Sequence, residues 1–391
     1  MVTTEGHATS APAARRTGSR TRMGPRAHRV RGSLTIRESP GEQFWARLSA
    51  KTASHPVPIQ AMIELTYGCN LRCVHCFNPT HRAKGELTTA QIKALVDQLV
   101  GAGCLDLAFT GGEVFTRRDL LEIVTYAKSK GFAITLLTNA TLITPERADR
   151  IQALHLYRVE ISIYGATAET YERVTSIPGS FQAFLRGVQF LRERTVPLLI
   201  KMPVVTLNQY EVQQAKRLVE GWGIKFIYST EIFPRVDGSL EPLRYRLRPD
   251  EVVRVDETIL GSRADGGRGQ DAPCRAHDGL FSCKCGKSSL AVTPYGRMNL
   301  CVSLPTPQYD LQGGTIAEGW RTLVDLVDQA SAAPGDAYEC PRCPVQGQCR
   351  QGPMNAWLER GRLDPCLPYF RELATLEKEA DERQRATRPQ F

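Results

Sequence analysis

No stretch of the 391 residues approaches the roughly 18–20 uninterrupted apolar residues of a membrane-crossing helix, and none has the apolar centre of a secretory signal. No internal repeat suggests a solenoid. Without a secretory signal, the twelve cysteines, spread unevenly over a long chain, do not read as a small secreted disulfide scaffold. Acidic residues are nearly absent from residues 1–32, which hold seven arginines, no lysine and one acid, Glu5. That segment carries +6 of the net +9, so the remaining 359 residues carry only +3. A body so nearly balanced is not a nucleic-acid-binding surface by composition. What is present is ordinary globular material, 42% hydrophobic and 23% charged, long enough for two or three domains of about 100–200 residues each.

The Arg-rich start is dominated by Ala, Pro, Ser, Gly and Arg and cannot bury a core, so residues 1–40 are expected to be a disordered tail. A transit-peptide-like segment, an electrostatic arm for an acidic partner, and a start at Met23 are the other readings of the same stretch.

From residue 59 the pattern alternates regularly. Strands are expected over 59–66, 105–110, 133–138, 158–164, 198–204 and 225–230. Helices are expected over 88–101, 119–130, 145–154, 180–194 and 209–221. Thr88 can cap the first helix, whose stripe is Ile92, Leu95, Val96 and Leu99; Pro145 opens the third. This is an α/β chain with a parallel sheet, open or curled into a barrel, and its site belongs at the C-terminal strand ends. After Arg235 the alternation fades. Residues 261–273 read as a linker, and 274–366 hold eight of the twelve cysteines. A final helix is expected over 368–386, running into a terminal segment 371–391 of helix end and tail.

The first predicted strand runs into Cys69-x3-Cys73-x2-Cys76. Three thiolates within eight residues of a tight loop can converge on one centre. Zinc wants four ligands, with His75 or His81 able to complete the set. An iron–sulfur cluster held by three thiolates keeps one iron open. Separate burial of the three as small hydrophobes is the plain alternative.

This arrangement resembles the radical S-adenosylmethionine (SAM) superfamily. The further matches are Gly111-Gly112-Glu113 after the second strand, Thr138-Asn139 after the third, and Glu160-Ile-Ser162-Ile-Tyr164 on the fourth. The resemblance covers roughly residues 59–235 and implies a partial (β/α)6 TIM-like barrel, with the core domain over 55–260. It implies that Cys69, Cys73 and Cys76 hold a [4Fe–4S] cluster whose open iron binds SAM. Gly111 and Gly112 would permit close backbone approach, and Glu113 would face the ligand's ammonium group. Asn139 and Ser162 would bond ribose or carboxylate, His75 would contact adenine, and Arg173 would serve as a further carboxylate partner. In such enzymes an electron cleaves SAM to methionine and a 5′-deoxyadenosyl radical, which takes a hydrogen atom from the substrate.

The later cysteines resemble the SPASM extension of that superfamily, implying an auxiliary-cluster domain over 274–370. Cys283 or Cys285 with Gly296 and Cys301 fits its opening, and Cys340-x2-Cys343-x5-Cys349 with Cys366 fits its close. The departure is Pro353, where the family's pattern has another cysteine. One or two auxiliary iron–sulfur clusters follow: Cys340, Cys343, Cys349 and Cys366 can complete one, while Cys283, Cys285 and Cys301, with Cys274 as a substitute, leave the other short. A redox-silent zinc ribbon is the competing use of these thiols. Cys104, alone before a strand, is expected to be a buried structural thiol.

The resemblance implies an enzyme that modifies a peptide or protein, similar to the maturases of pyrroloquinoline quinone and mycofactocin, leaving a crosslink, thioether, oxidation or epimerisation. Its expected partners are a separate leader-binding carrier protein, since residues 1–57 are too short for a winged-helix module, and an electron donor such as flavodoxin or ferredoxin. The expected location is the reducing cytoplasm, without membrane or nucleic acid. The alternatives are a formylglycine-forming sulfatase maturase, a small-molecule dehydrogenase, or a non-catalytic iron–sulfur or zinc scaffold. No catalytic acid, base or hydrogen donor is identifiable from the sequence.

Overall fold

A computed structural model describes residues 47–48, 52, 55–260, 280–281 and 285–386. The Arg-rich segment, the linker over 261–273, Cys274 and Cys283 lie outside the described residues.

Six parallel strands alternate with helices. They are β1 (Gln60–Thr66), β2 (Asp106–Gly111), β3 (Ala133–Thr138), β4 (Arg158–Ser162), β5 (Leu198–Pro203) and β6 (Lys225–Ser229). The helices between them are α1 (Thr89–Gly101), α2 (Leu120–Ser129), α3 (Pro145–Ala153), the pair α4 (Ala168–Thr175) and α5 (Ser180–Glu193), and α6 (Val212–Gly221). Local chemistry accounts for the boundaries. Thr88 caps α1 in a reciprocal capping box with Gln91, and Ile92, Leu95, Val96 and Leu99 are its buried stripe. Thr144 caps α3, with Pro145 in its first turn. The helix expected over 209–221 opens as a 3-10 turn, Gln209–Glu211, before α6 begins. Helix α4 was not expected from the sequence.

Strand order decides what alternation left open. The strands lie β6-β5-β4-β3-β2-β1, in unbroken sequence order and all parallel. A doubly wound sheet reverses order at a switch point; this one does not, which is the order of a curling barrel. The two faces differ accordingly. Ile63, Phe109, Leu136 and Val159 stand in register across β1–β4 and are buried in the core shared with the helices. Alternate strand residues face the other way, and there the chain places Glu64, Thr110, Thr135, Glu160 and Lys201. Buried Glu160 is paired with Arg158 and Lys201, each at 2.6 Å. Apolar residues thus hold the helices while charge lines the inner face.

The sheet continues past β1. Strand β7 (Ser289–Val292) pairs parallel to it, and β8 (Arg297–Cys301) and β9 (Leu304–Asp310) follow antiparallel. The later α-helices are α7 (Pro249–Leu260), α8 (Ile316–Ala332), α9 (Pro353–Arg360) and α10 (Pro368–Ala386). Arg350 ties this region to the barrel. Its guanidinium bonds Asp256 of α7 at 2.5 Å, Glu377 of α10, and Thr230 beyond β6 at 3.3 Å. Asp256 and Glu377 are both buried. Nearby, Glu231 has one carboxyl oxygen sealed from solvent with no partner. Burial pushes that carboxyl up to about 7, against the pull of Arg350.

Two outcomes follow for the folded protein. Arg350→Met would leave two buried carboxylates without their cation, and thermal unfolding should show a loss of about 3–5 kcal/mol; an unchanged midpoint would refute the strut. Glu231 is protonated more readily when folded than when unfolded, so its contribution to stability is complete below about pH 4.5 and is lost as pH rises through about 7. Glu231→Gln should flatten that loss between pH 5.5 and 7.5, and equal slopes in the two proteins would contradict it.

Candidate functional site

The loop after β1 carries the three thiols, and the fold pins it from several sides. Glu86 accepts from the Thr66 hydroxyl at 2.9 Å and from Tyr67 N at 2.8 Å. Cys69 N reaches His81 O at 3.3 Å. Arg72 N and Val74 N donate to Thr175 O and Val174 O at 2.9 and 3.0 Å, so the unexpected helix α4 is the loop's seat. Leu71 is buried beneath it.

Burial pushes all three thiols up, Cys69 to about 11, and Cys73 is raised further by its neighbours Cys69 and Cys76. Among the described residues, no group of three or more His, Cys, Asp or Glu side chains stands in a metal-holding arrangement as it is. The mutual influence of the thiols nevertheless places them around one locus. His75 leaves Nδ1 buried without a partner, and burial lowers its imidazole to about 4, so the ring is neutral. It lies 5.5 Å from the Tyr164 ring.

The neighbouring strand ends close onto this loop. Gly112 N and Glu113 N donate to Thr66 O and Gly68 O at 2.7 and 2.8 Å. A Cβ on Gly111 or Gly112 would overlap those same carbonyls, and Gly111 has φ 137°. The close approach made by these glycines is therefore to the cysteine loop's backbone. Glu113 is fully buried and accepts three bonds: from the Thr138 hydroxyl at 2.7 Å, Asn139 N at 2.7 Å and Phe115 N at 3.1 Å. Asn139 in turn donates to Asn70 at 3.1 Å, and Asn70 to Thr141 at 2.8 Å. Ser162 is half-buried at the end of β4, and buried Tyr164, two residues on, neighbours the Cys73 thiol. The structure thus gathers Cys69, Cys73, Cys76, His75, Glu113, Asn139 and Ser162 around one strand-end locus. Arg173 lies exposed on α4.

Several participants were missed by sequence reasoning. Asn70 and Tyr164 sit inside recognised motifs but carry no signal of their own. Glu64 faces inward and buried, 3.2 Å from the Tyr67 hydroxyl, and burial lifts its carboxyl to about 8. Only the inward alternation of β1 could have marked it.

The second cysteine region forms a pocket. Cys340, Cys343, Cys349 and Cys366 line one cavity of about 300 Å³, with Arg342 and Arg371 at its wall. Burial raises Cys349 to about 11, and Cys340, Cys343 and Cys366 each raise it further. Cys285 precedes β7 and Cys301 ends β8, at the same end of that hairpin. Pro353 opens α9, with Gly352 as its cap. Cys104 is buried against Ile59 O and Asp106 O. No described helix is long and apolar enough to cross a membrane.

Comparison with known proteins follows the same geography. Residues 63–221 match the model of the Radical SAM superfamily. An AdoMet-dependent heme synthase of Methanosarcina barkeri is 38% identical over 162 residues, 41% of this chain and 46% of that one. The chain spans less than half the length of the first curated relatives it matches. The mycofactocin maturase MftC of Mycobacterium tuberculosis is 27% identical over 336 residues, 81% of each protein. Among solved structures, Streptococcus suis SuiB bound to its precursor peptide SuiA superposes with a TM-score of 0.65 at 13% identity, over 88% of this chain and 84% of that one, a likeness of fold.

In Glu113→Gln the new amide nitrogen must face a backbone N–H whichever way it turns. One buried donor is then unsatisfied, at about 1–3 kcal/mol, or a few degrees in the unfolding midpoint. A glutamine variant as stable as wild type would show that these donors do not hold the site together.

Proposed function

We propose that the chain is a radical SAM maturase acting on a peptide, in keeping with the match of residues 63–221 to the Radical SAM superfamily model. The carrying observation is the convergence of Cys69, Cys73 and Cys76 with the ends of β2, β3 and β4. A [4Fe–4S] cluster with SAM, when bound there, supplies one-electron cleavage of the sulfonium and a hydrogen-abstracting radical. The chain's own residues do the rest. The three thiols hold the cluster, and Glu113 fixes the backbone of Asn139, whose amide, bonded to Asn70 and Thr141, lines the same strand ends. Neutral His75 offers a flat, uncharged ring, and Ser162 a hydroxyl on the opposite strand.

The peptide reading is supported by the reach of the MftC match, 81% of each protein, against 46% of the heme synthase's length. It is supported too by the pocket of Cys340, Cys343, Cys349 and Cys366, which fits an auxiliary iron–sulfur cluster. A separate carrier for the leader, a flavodoxin or ferredoxin as electron donor, and a reducing cytoplasm complete the reading. The higher identity of the heme synthase, 38%, favours a second reading, in which the substrate is a tetrapyrrole.

The test is anaerobic. Reconstituted protein with SAM and a strong reductant should release 5′-deoxyadenosine, and the Cys69→Ala/Cys73→Ala/Cys76→Ala variant should release none while losing about four irons. Absence of 5′-deoxyadenosine from fully loaded wild type defeats the reading and leaves a scaffold. Mass spectrometry of short peptides encoded beside the gene, set against an iron porphyrin and a sulfatase peptide, assigns the substrate class.

A further inference from the structure

The four-thiol pocket is assembled from two stretches of chain. Cys340, Cys343 and Cys349 precede α9, and Cys366 follows it. The second stretch must be brought back across the helix and held. Gln351 does this with two side-chain bonds. Its side-chain Nε2 donates to Pro365 O at 2.8 Å, and its Oε1 accepts from Leu367 N at 2.7 Å. The amide therefore grips the backbone on both sides of Cys366, as a strand partner would. Gln351 is buried, lines the pocket and has both ends of its amide occupied. The preceding Arg350 anchors the same backbone to Asp256 and Glu377, so the grip is mounted on a fixed support.

We propose that Gln351 is a positioning residue of the four-thiol pocket: it holds Cys366 in place against Cys349 and thereby sets the environment of the iron–sulfur cluster bound there. The proposal rests on the reading of that pocket as a cluster site. A carboxamide is uniquely suited, because one donor and one acceptor on a planar group match the carbonyl and N–H flanking a single residue. Hydrogen bonds to cluster sulfurs and the packing around them tune a cluster's reduction potential.

The experiment compares wild type, Gln351→Leu, Gln351→Glu and Cys366→Ala after anaerobic reconstitution. Iron and sulfide are counted, and each reduced cluster is followed by electron paramagnetic resonance during a redox titration. Gln351→Leu should lose up to about four irons, or shift the spectrum and midpoint of the second cluster, while the signal that changes on adding SAM stays as in wild type. Gln351→Glu keeps the bond from Leu367 and loses the donor to Pro365, so it should fall between wild type and Gln351→Leu. If Gln351→Leu does not fold, Gln351→Glu decides: a displaced midpoint supports the proposal and a wild-type midpoint overturns it. Wild-type iron content and midpoint in Gln351→Leu, beside iron loss in Cys366→Ala, would overturn the positioning role alone. Full iron retention in Cys366→Ala would remove the cluster reading itself, and the proposal with it.

Discussion

A single buried carboxylate holds the strand-end site in register. Glu113 receives a hydroxyl and two backbone N–H groups, and they come from its own turn and from the end of β3. Its backbone N–H in turn grips Gly68 O on the cysteine loop. Burial raises the free energy of its charged form, and the three donors offset that cost. Three elements are thus locked to one group that has no water to fall back on. A shift in any of them would strand a donor or acceptor in a dry interior, so the bonds to Glu113 resist such a shift although the site is built from loop ends.

The inner face of the barrel obeys a related constraint. A parallel sheet covered on both faces is apolar throughout, yet here Glu64, Glu160 and Lys201 face inward. Glu160 is satisfied by Arg158 and Lys201. Glu64 has the Tyr67 hydroxyl in hydrogen-bond contact, and its carboxyl is raised far from its ordinary range. Charge on this face commits it to something other than packing. The same alternation that drives Ile63 and Phe109 outward against the helices turns Glu64 and Thr110 in.

Much of this was legible in the sequence. All six parallel strands fell within a residue or two of their expected bounds, because apolar runs between glycine and proline punctuation are strong signals. Helix α4 was hidden: its eight residues, AETYERVT, span barely two turns, with only Tyr171 and Val174 as large apolar residues on the buried side. Its absence from the reading concealed how the cysteine loop is seated. Motif spacing located Gly111, Gly112 and Glu113 at a strand end, but the glycines' closest neighbours are the carbonyls of the cysteine loop. Spacing cannot say which surface a glycine approaches. Gln351 was invisible for another reason: its partners Pro365 and Leu367 lie 14 and 16 residues away across a helix, and no periodicity encodes such a bond.

The two thiol groups differ in what they leave unsatisfied. The loop after β1 offers three thiols beside an unpartnered imidazole nitrogen and a chain of side-chain amides and hydroxyls running through Asn70, Asn139 and Thr141. The C-terminal pocket offers four thiols, and Gln351 beside them bonds the backbone on both sides of Cys366. Three thiolates leave a cube with one iron open to an outside ligand; four close it. Coordination number therefore divides the labour on this reading. Bond-breaking would then belong to the β1 loop, and the closed set would hold structure and electrons. Pro353, which begins α9 where a further cysteine is expected, does not disturb that division, because it lies outside the four that line the pocket.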